Sequence, residues 1–161
     1  MALQSISNFC GTNLPGLYSI EYAPTTWIDA DVYRQRLSGH VWSSGIPFSQ
    51  GGWLTAPVFY RPDQLWQQNQ IDDQQGRSYE STTTGSLPQM RVEIDEQFEQ
   101  MPNYQYLLRL KDRNNKYWLL GTLETPFLFS TGNTSGNNSQ RNQYTINFQA
   151  VLPQRVFGLV V

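Results

Sequence analysis

The stretch Tyr104–Thr122, YQYLLRLKDRNNKYWLLGT, decides the fold class. Tyr104, Tyr106, Leu108 and Leu110 fall on one parity, and Gln105, Arg109 and Lys111 on the other. A strand with this pattern buries one face and wets the other. Leu107 is the single apolar residue on the wet parity. Asp112-Arg113-Asn114-Asn115 predicts a turn, because Asn and Asp tolerate left-handed backbone angles and bond their own main chain. Lys116 to Thr122 then returns as the partner strand.

The same patterning extends outward. After Pro126, Phe127-Leu128-Phe129 begins a third strand, and Tyr144, Ile146, Phe148 and Ala150 alternate with Gln143, Thr145, Asn147 and Gln149 in a fourth. Ser130 to Asn142, built from Thr, Gly, Asn, Ser and Gln, reads as a long polar loop between them. Towards the N-terminus, residues 1–13 read as an arm, and Tyr18, Ile20 and Tyr22 alternate with Ser19 and Glu21 in a first strand that stops at Pro24. Trp27 to about Leu37 is expected as a short helix capped by Thr25 or Thr26, with Asp29 and Asp31 near its positive end. Residues 38–76, rich in Gly, Pro, Trp and Gln, read as a projecting insertion, with Val58-Phe59-Tyr60 in an edge position between prolines. Arg77 to Thr84 has strand composition, Gly85 to Pro88 is expected to turn, and Met90, Val92 and Ile94 alternate as another strand. Glu96 to Met101 follows as a single helical turn stopped by Pro102. The count is seven to nine short strands with one or two short helices. That predicts a single-domain, all-β, mainly antiparallel sandwich or barrel with long loops.

Composition narrows the function classes. The chain has 161 residues, one domain's length, with 14% aromatic and only 15% charged residues, against about 25% charged in ordinary soluble domains. Amides take up the polarity, with 17 Gln and 11 Asn. Amides hydrogen-bond laterally and cost less to desolvate than charges, which favours packed assembly over electrostatic steering. A net charge of -2, two lysines and scattered arginines provide no basic stripe for nucleic acid. No segment approaches the roughly 20 apolar residues of a membrane span, the N-terminus lacks the pattern of a signal peptide, and Cys10 alone forms no internal disulfide.

Catalytic and metal chemistry find little support. His40 is the only histidine, and no Gly-x-Ser-x-Gly elbow surrounds any serine; a hydrolase would depend on His40. Glu93, Asp95, Glu96 and Glu99 cluster as glycoside hydrolysis would need, but alternation with Met90, Val92 and Ile94 places Glu93 and Asp95 on a solvated strand face. Asp63, Asp72 and Asp73 lack the loop spacing of a dedicated calcium site, and there is no Cys/His set for zinc. No catalytic residue, cofactor or metal is expected. Asn133-Thr134-Ser135 and Asn137-Asn138-Ser139 match the glycosylation acceptor pattern, which is discounted without a secretory signal. Of the five tryptophans, Trp118 is expected in the sheet, whereas Trp42 and Trp53 lie in Gly-rich sequence and suit exposed contacts, with protein or with sugar rings. A carbohydrate-binding module that recognises host glycans is therefore the competing class.

The block Lys111-Asp-Arg-Asn-Asn-Lys-Tyr-Trp-Leu-Leu-Gly121, Glu124-Thr-Pro-Phe-Leu-Phe129 and Asn142-Gln-Tyr-Thr-Ile-Asn-Phe148 resembles the C-terminal half of structural proteins from tailed phages and prophages of Bacteroidetes-type hosts. The opening Cys10-Gly11 and Pro15-Gly16-Leu17-Tyr-Ser-Ile-Glu-Tyr-Ala-Pro24 is similar to how such proteins begin. Together these cover about half the chain, and 27–88 has no counterpart. The resemblance implies a β-sandwich or barrel subunit of a tail tube, tail-completion or ring component, assembled in the host cytoplasm and resident in the virion. Its implied partners are identical subunits and other virion proteins. It carries over no catalytic residues. Trp42, Trp53, Asn133, Asn137, Asn138, Gln140 and Arg141 are the expected assembly contacts.

Overall fold

The computed structural model describes residues 14–36, 41–42, 45–56, 64–74, 76–88, 90–135, 142–155 and 157–159. The centre of the fold is β6 (Gln105–Asp112), which pairs antiparallel with β1 (Leu17–Pro24) along one edge. Leu108 is opposite both Tyr22 of β1 and Leu120 of β7 (Tyr117–Leu120), and Tyr106 is opposite both Pro24 and Phe127 of β8 (Phe127–Thr134). β7 and β8 must therefore share the other edge of β6, one along its C-terminal half and one along its N-terminal half. Two layers diverge from this fork. The first contains β3 (Leu54–Thr55), β1, β6, β7, β10 (Phe157–Leu159) and β2 (Val41–Trp42). The second is β8, β9 (Gln143–Leu152), β5 (Gly76–Pro88) and β4 (Leu65–Asp73), antiparallel throughout.

The layers face each other. Trp66 of β4 and Trp118 of β7 have ring centroids 6.0 Å apart, although three strand steps and about six residues along the strands would separate them by roughly 25 Å if the sheet lay flat. Between the layers Tyr22, Tyr106, Phe129 and Phe148 meet at centroid distances of 5.1–5.8 Å. The fold is all-β and mainly antiparallel, as the alternating strands predict.

The outer side of the first layer carries a second, smaller core. Leu107, the residue that broke the parity of β6, is fully buried there with Leu119, Ile28 and Tyr33. Tyr33 comes from α1 (Ala30–Arg36), and Ile46, Phe48 and Trp53 complete the cover. β6 is thus buried on both faces. Tyr104, expected with the inward set, precedes β6 and is exposed.

The turn after β6 forms as its residues require. Asn115 takes φ 63°, and the Asp112 carboxylate accepts the backbone N–H of Asn114 and Lys116 at 2.9 and 2.8 Å. Gly121 takes φ 84° at the bend towards β8; an added Cβ would lie 3.0 Å from the Phe127 ring and 3.2 Å from the Thr125 carbonyl. Only glycine suits this bend.

Several expectations fail for identifiable reasons. Met90 to Asp95 is not a strand; Val92–Gln100 is a helix, α2. Its core contacts are Ile94 and Phe98, four residues apart, with Met101 next, while Met90 and Val92 are exposed, so the alternation was incidental to a 3.6-residue period. The first helix is split into a 3-10 turn, Thr25–Trp27, and α1. Asp29 caps α1, accepting the Val32 N–H at 3.1 Å, rather than Thr25 or Thr26. Gly85 to Pro88 continues β5 because Gln143 to Ile146 lie opposite as a ladder. The polar loop is shorter than expected, since Ser130 to Thr134 extend β8 against Gln143 to Asn147. The described parts of 38–76 pack onto the body instead of projecting: Leu54–Thr55 pairs with β1, Phe48 bridges Ile28, and Leu65–Asp73 pairs with β5.

Buried tyrosines make this fold sensitive to alkali. Burial, followed by the nearby charge of Glu124, pushes Tyr33 up to about 12, and burial also raises Tyr22 and Tyr106. Below about pH 10 the unfolded and folded states are both protonated; above it the unfolded chain ionises first, so stability falls as pH rises. Tyr33 alone accounts for about 3 kcal/mol lost between about pH 10 and 12. In an alkaline titration followed by tyrosinate absorbance and circular dichroism, these three tyrosines are expected to ionise together with unfolding.

Candidate functional site

Two features of the described surface offer interaction chemistry: an aromatic and cationic ladder on the first layer, and open strand edges on the second. In the ladder, Glu21 and Arg109 are opposite each other on β1 and β6 and form a half-buried ion pair. The Arg109 guanidinium lies 4.9 Å from the centroid of Trp53 and 5.5 Å from that of Tyr117. Lys111 continues the row, 5.1 Å from Tyr18 and 5.2 Å from Tyr117. Cation–π contacts of this kind contribute about 0.5–1 kcal/mol each at exposed sites. Trp53 also meets Phe48 edge-on at 5.7 Å, so it is half-buried cover for the second core rather than a free platform.

The second layer ends in two edges. β4 pairs with β5 over all nine of its residues, from Leu65↔Thr84 to Asp73↔Gly76, and no described strand lies along its other side. Among the described residues, nothing pairs with the row of main-chain donors and acceptors on that side. From Leu65 to Ile71 the strand has no charge and no proline, which are the devices that usually blunt an edge. The charges gather at its end, where the Arg77 guanidinium at 2.9 Å, and then the Gln70 amide at 2.8 Å, hold the Asp72 carboxyl below the usual range. At the opposite margin, β8 meets β6 only through Phe127 and Leu128. Among the described strands, Ser130 to Thr134 pair only with β9, and these residues are exposed.

The expected contact residues distribute unevenly. Asn133 lies on the open part of β8, opposite Tyr144. The backbone of Trp42 pairs with Leu159 in the first layer, remote in strand order from Asn133. Asn137, Asn138, Gln140 and Arg141 fall outside the described residues, as do His40, Cys10 and Asp63. The edge strand Leu65–Asp73 was missed, its glutamines having been read as insertion sequence. The available signal was the polar run from Asp72 to Gly76 before Arg77–Thr84; in the structure Asp73 is opposite Gly76 where β4 and β5 pair.

The carboxylate cluster lies on α2, not on a strand. Asp95 accepts the Tyr144 hydroxyl at 2.7 Å, and that hydroxyl accepts the Arg91 N–H at 3.0 Å. Burial first, and then this bond to Asp95, raises the Tyr144 hydroxyl. The contact ties the start of α2 to β9, and Glu93 and Asp95 also suit the positive end of the helix. Among the described residues no three His, Cys, Asp or Glu side chains converge as a metal site would require. None of the described helices is long and apolar enough to cross a membrane.

In comparisons with known proteins, no family model, curated protein or solved structure matches this chain.

Proposed function

We propose that this chain is a non-enzymatic structural subunit of a bacteriophage virion, in a tail or neck/ring component, that assembles into a ring or tube with identical subunits and other virion proteins. The observation that carries this reading is the outer edge of β4, a nine-residue strand with an uncharged run from Leu65 to Ile71 beside which no described strand lies. Such an edge is a template for another strand, and soluble monomers ordinarily protect it. The likeness of the Lys111–Phe148 block to phage structural proteins supports the virion setting. The amide-rich composition supports contacts without paired charges.

The competing glycan-binding reading needs an exposed flat aromatic face. Arg109 lies over the Trp53 ring, which weakens Trp53 as a sugar platform.

An assembly held by main-chain and amide hydrogen bonds is insensitive to screening. Light scattering of the purified protein is expected to give the same oligomer from about 0.05 to about 1 M salt, a range over which exposed ion pairs are largely screened. Electron microscopy should show rings or tubes. A monomer at high concentration with neither form present would remove the assembly reading.

A further inference from the structure

We infer that the subunits join head to tail within the second layer, the open edge of β4 in one copy pairing with the exposed half of β8 in the next. This rests on the assembly reading above and specifies its contact.

Strand direction comes first. β4 to β5, β5 to β9 and β9 to β8 are each antiparallel, so after three reversals β4 and β8 run in opposite directions. A neighbour related by rotation about an axis from which the strands are tilted, as in a closed sheet, keeps the same strand sense. Its β8 then meets β4 antiparallel, and the ladder continues across the junction with the pairing used throughout the layer. An odd number of strands would have forced a parallel junction.

The edges also match in charge and in face. Gln67 to Ile71 and Ser130 to Thr134 contain no ionisable side chain, so joining them buries no charge. The glutamine and asparagine side chains supply both donors and acceptors, and the β8 hydroxyls can take either role. Leu65, Thr84, Asn147 and Ser130 form one rung across the layer, so odd positions of β4 share a face with even positions of β8. A junction that preserves the faces pairs odd with even. Asn69 opposite Gly132, with Gln68 opposite Asn133 and Gln70 opposite Thr131, meets this condition and uses the exposed half of β8. The arrangement staggers neighbours by about six residues, roughly 20 Å along the strands. Closed sheets require such a stagger. Head-to-tail contacts close into rings when the rotation fits and otherwise continue as helical tubes.

The same logic explains why the contact is not two-fold. Pairing β4 with β4 of a second copy would also be antiparallel, but it would stop at a dimer and leave β8 unused. Directed cross-linking separates these cases. In a Cys10→Ser background, Asn69→Cys and Gly132→Cys place thiols on the solvent face; Asn69 is exposed, and a Cβ at Gly132 meets nothing within 4 Å. The opposed positions fall within disulfide reach. Under mild oxidation, the double variant is expected to give a ladder of covalent multimers and the single variants no cross-link. A covalent dimer from Asn69→Cys alone would overturn the inference in favour of two-fold pairing. Intact oligomers by light scattering without any ladder would overturn the β4–β8 contact and leave the assembly reading standing. A monomer would overturn both.

Discussion

Phe148→Ala is expected to cost about 3–5 kcal/mol, the range for deleting a buried phenylalanine. Phe148 is 1% exposed. Its ring meets Tyr22 of the first layer at 5.8 Å, Tyr106 at 5.7 Å and Phe129 at 5.1 Å. It therefore joins β9 to β1, β6 and β8, and its loss opens a cavity at the place where the layers meet. Rigid aromatic neighbours collapse poorly into such a space. Against a total stability of about 5–15 kcal/mol for a domain, the variant lies near the limit of folding. Denaturant titration should show the midpoint displaced accordingly. Leu128→Ala, at a side chain 52% exposed on the outer face of β8, is expected within about 0.5 kcal/mol of the parent. Equal effects at both positions would mean that the layers do not pack through Phe148.

Gln67→Lys with Asn69→Lys is expected to abolish assembly while leaving the subunit folded. Both side chains are exposed on β4, and lysines along an edge are a natural means of preventing strand addition. Each copy would bring two ammonium groups to a junction with no acid among Ser130 to Thr134. Both ammonium groups stay on the solvent face, where strand addition at the seam strips part of their hydration and offers no acid in exchange. Light scattering should report a monomer, and circular dichroism and thermal stability should match those of the parent. Retention of the parental oligomer would place the subunit contact elsewhere; the Tyr18, Lys111 and Tyr117 ladder is then the next surface to alter.

Strand identity was legible wherever side chains reported burial on one face. β1, β6 and β9 follow from alternation, and the Asp112–Lys116 turn, with β7 returning from it, from its Asp and Asn residues. The failures share a cause. Met90, Val92 and Ile94 alternate over too short a span to distinguish a period of 2 from one of 3.6, and the Phe98 contacts with Phe129 and Tyr144 decide for the helix. Ser130 to Thr134 look like loop because a polar strand has no buried face to report. The ladder with β9 makes them strand. Leu65 to Asp73 were hidden in the same way, since hydrogen bonding to β5 is a main-chain property that side-chain chemistry barely encodes.

The sequence by itself determined an all-β chain whose polarity resides in amides, because side-chain periodicity and charge are local properties that can be read residue by residue. The tertiary structure alone decided that β7 and β8 share one edge of β6, that Leu107 seals a second core, and that no described strand lies beside the outer edge of β4 or the end of β8. Pairing partners are chosen by main-chain hydrogen bonds between segments far apart in the chain. An open edge is defined by what lies beside it in space, and nothing in the side chains of a single strand records that.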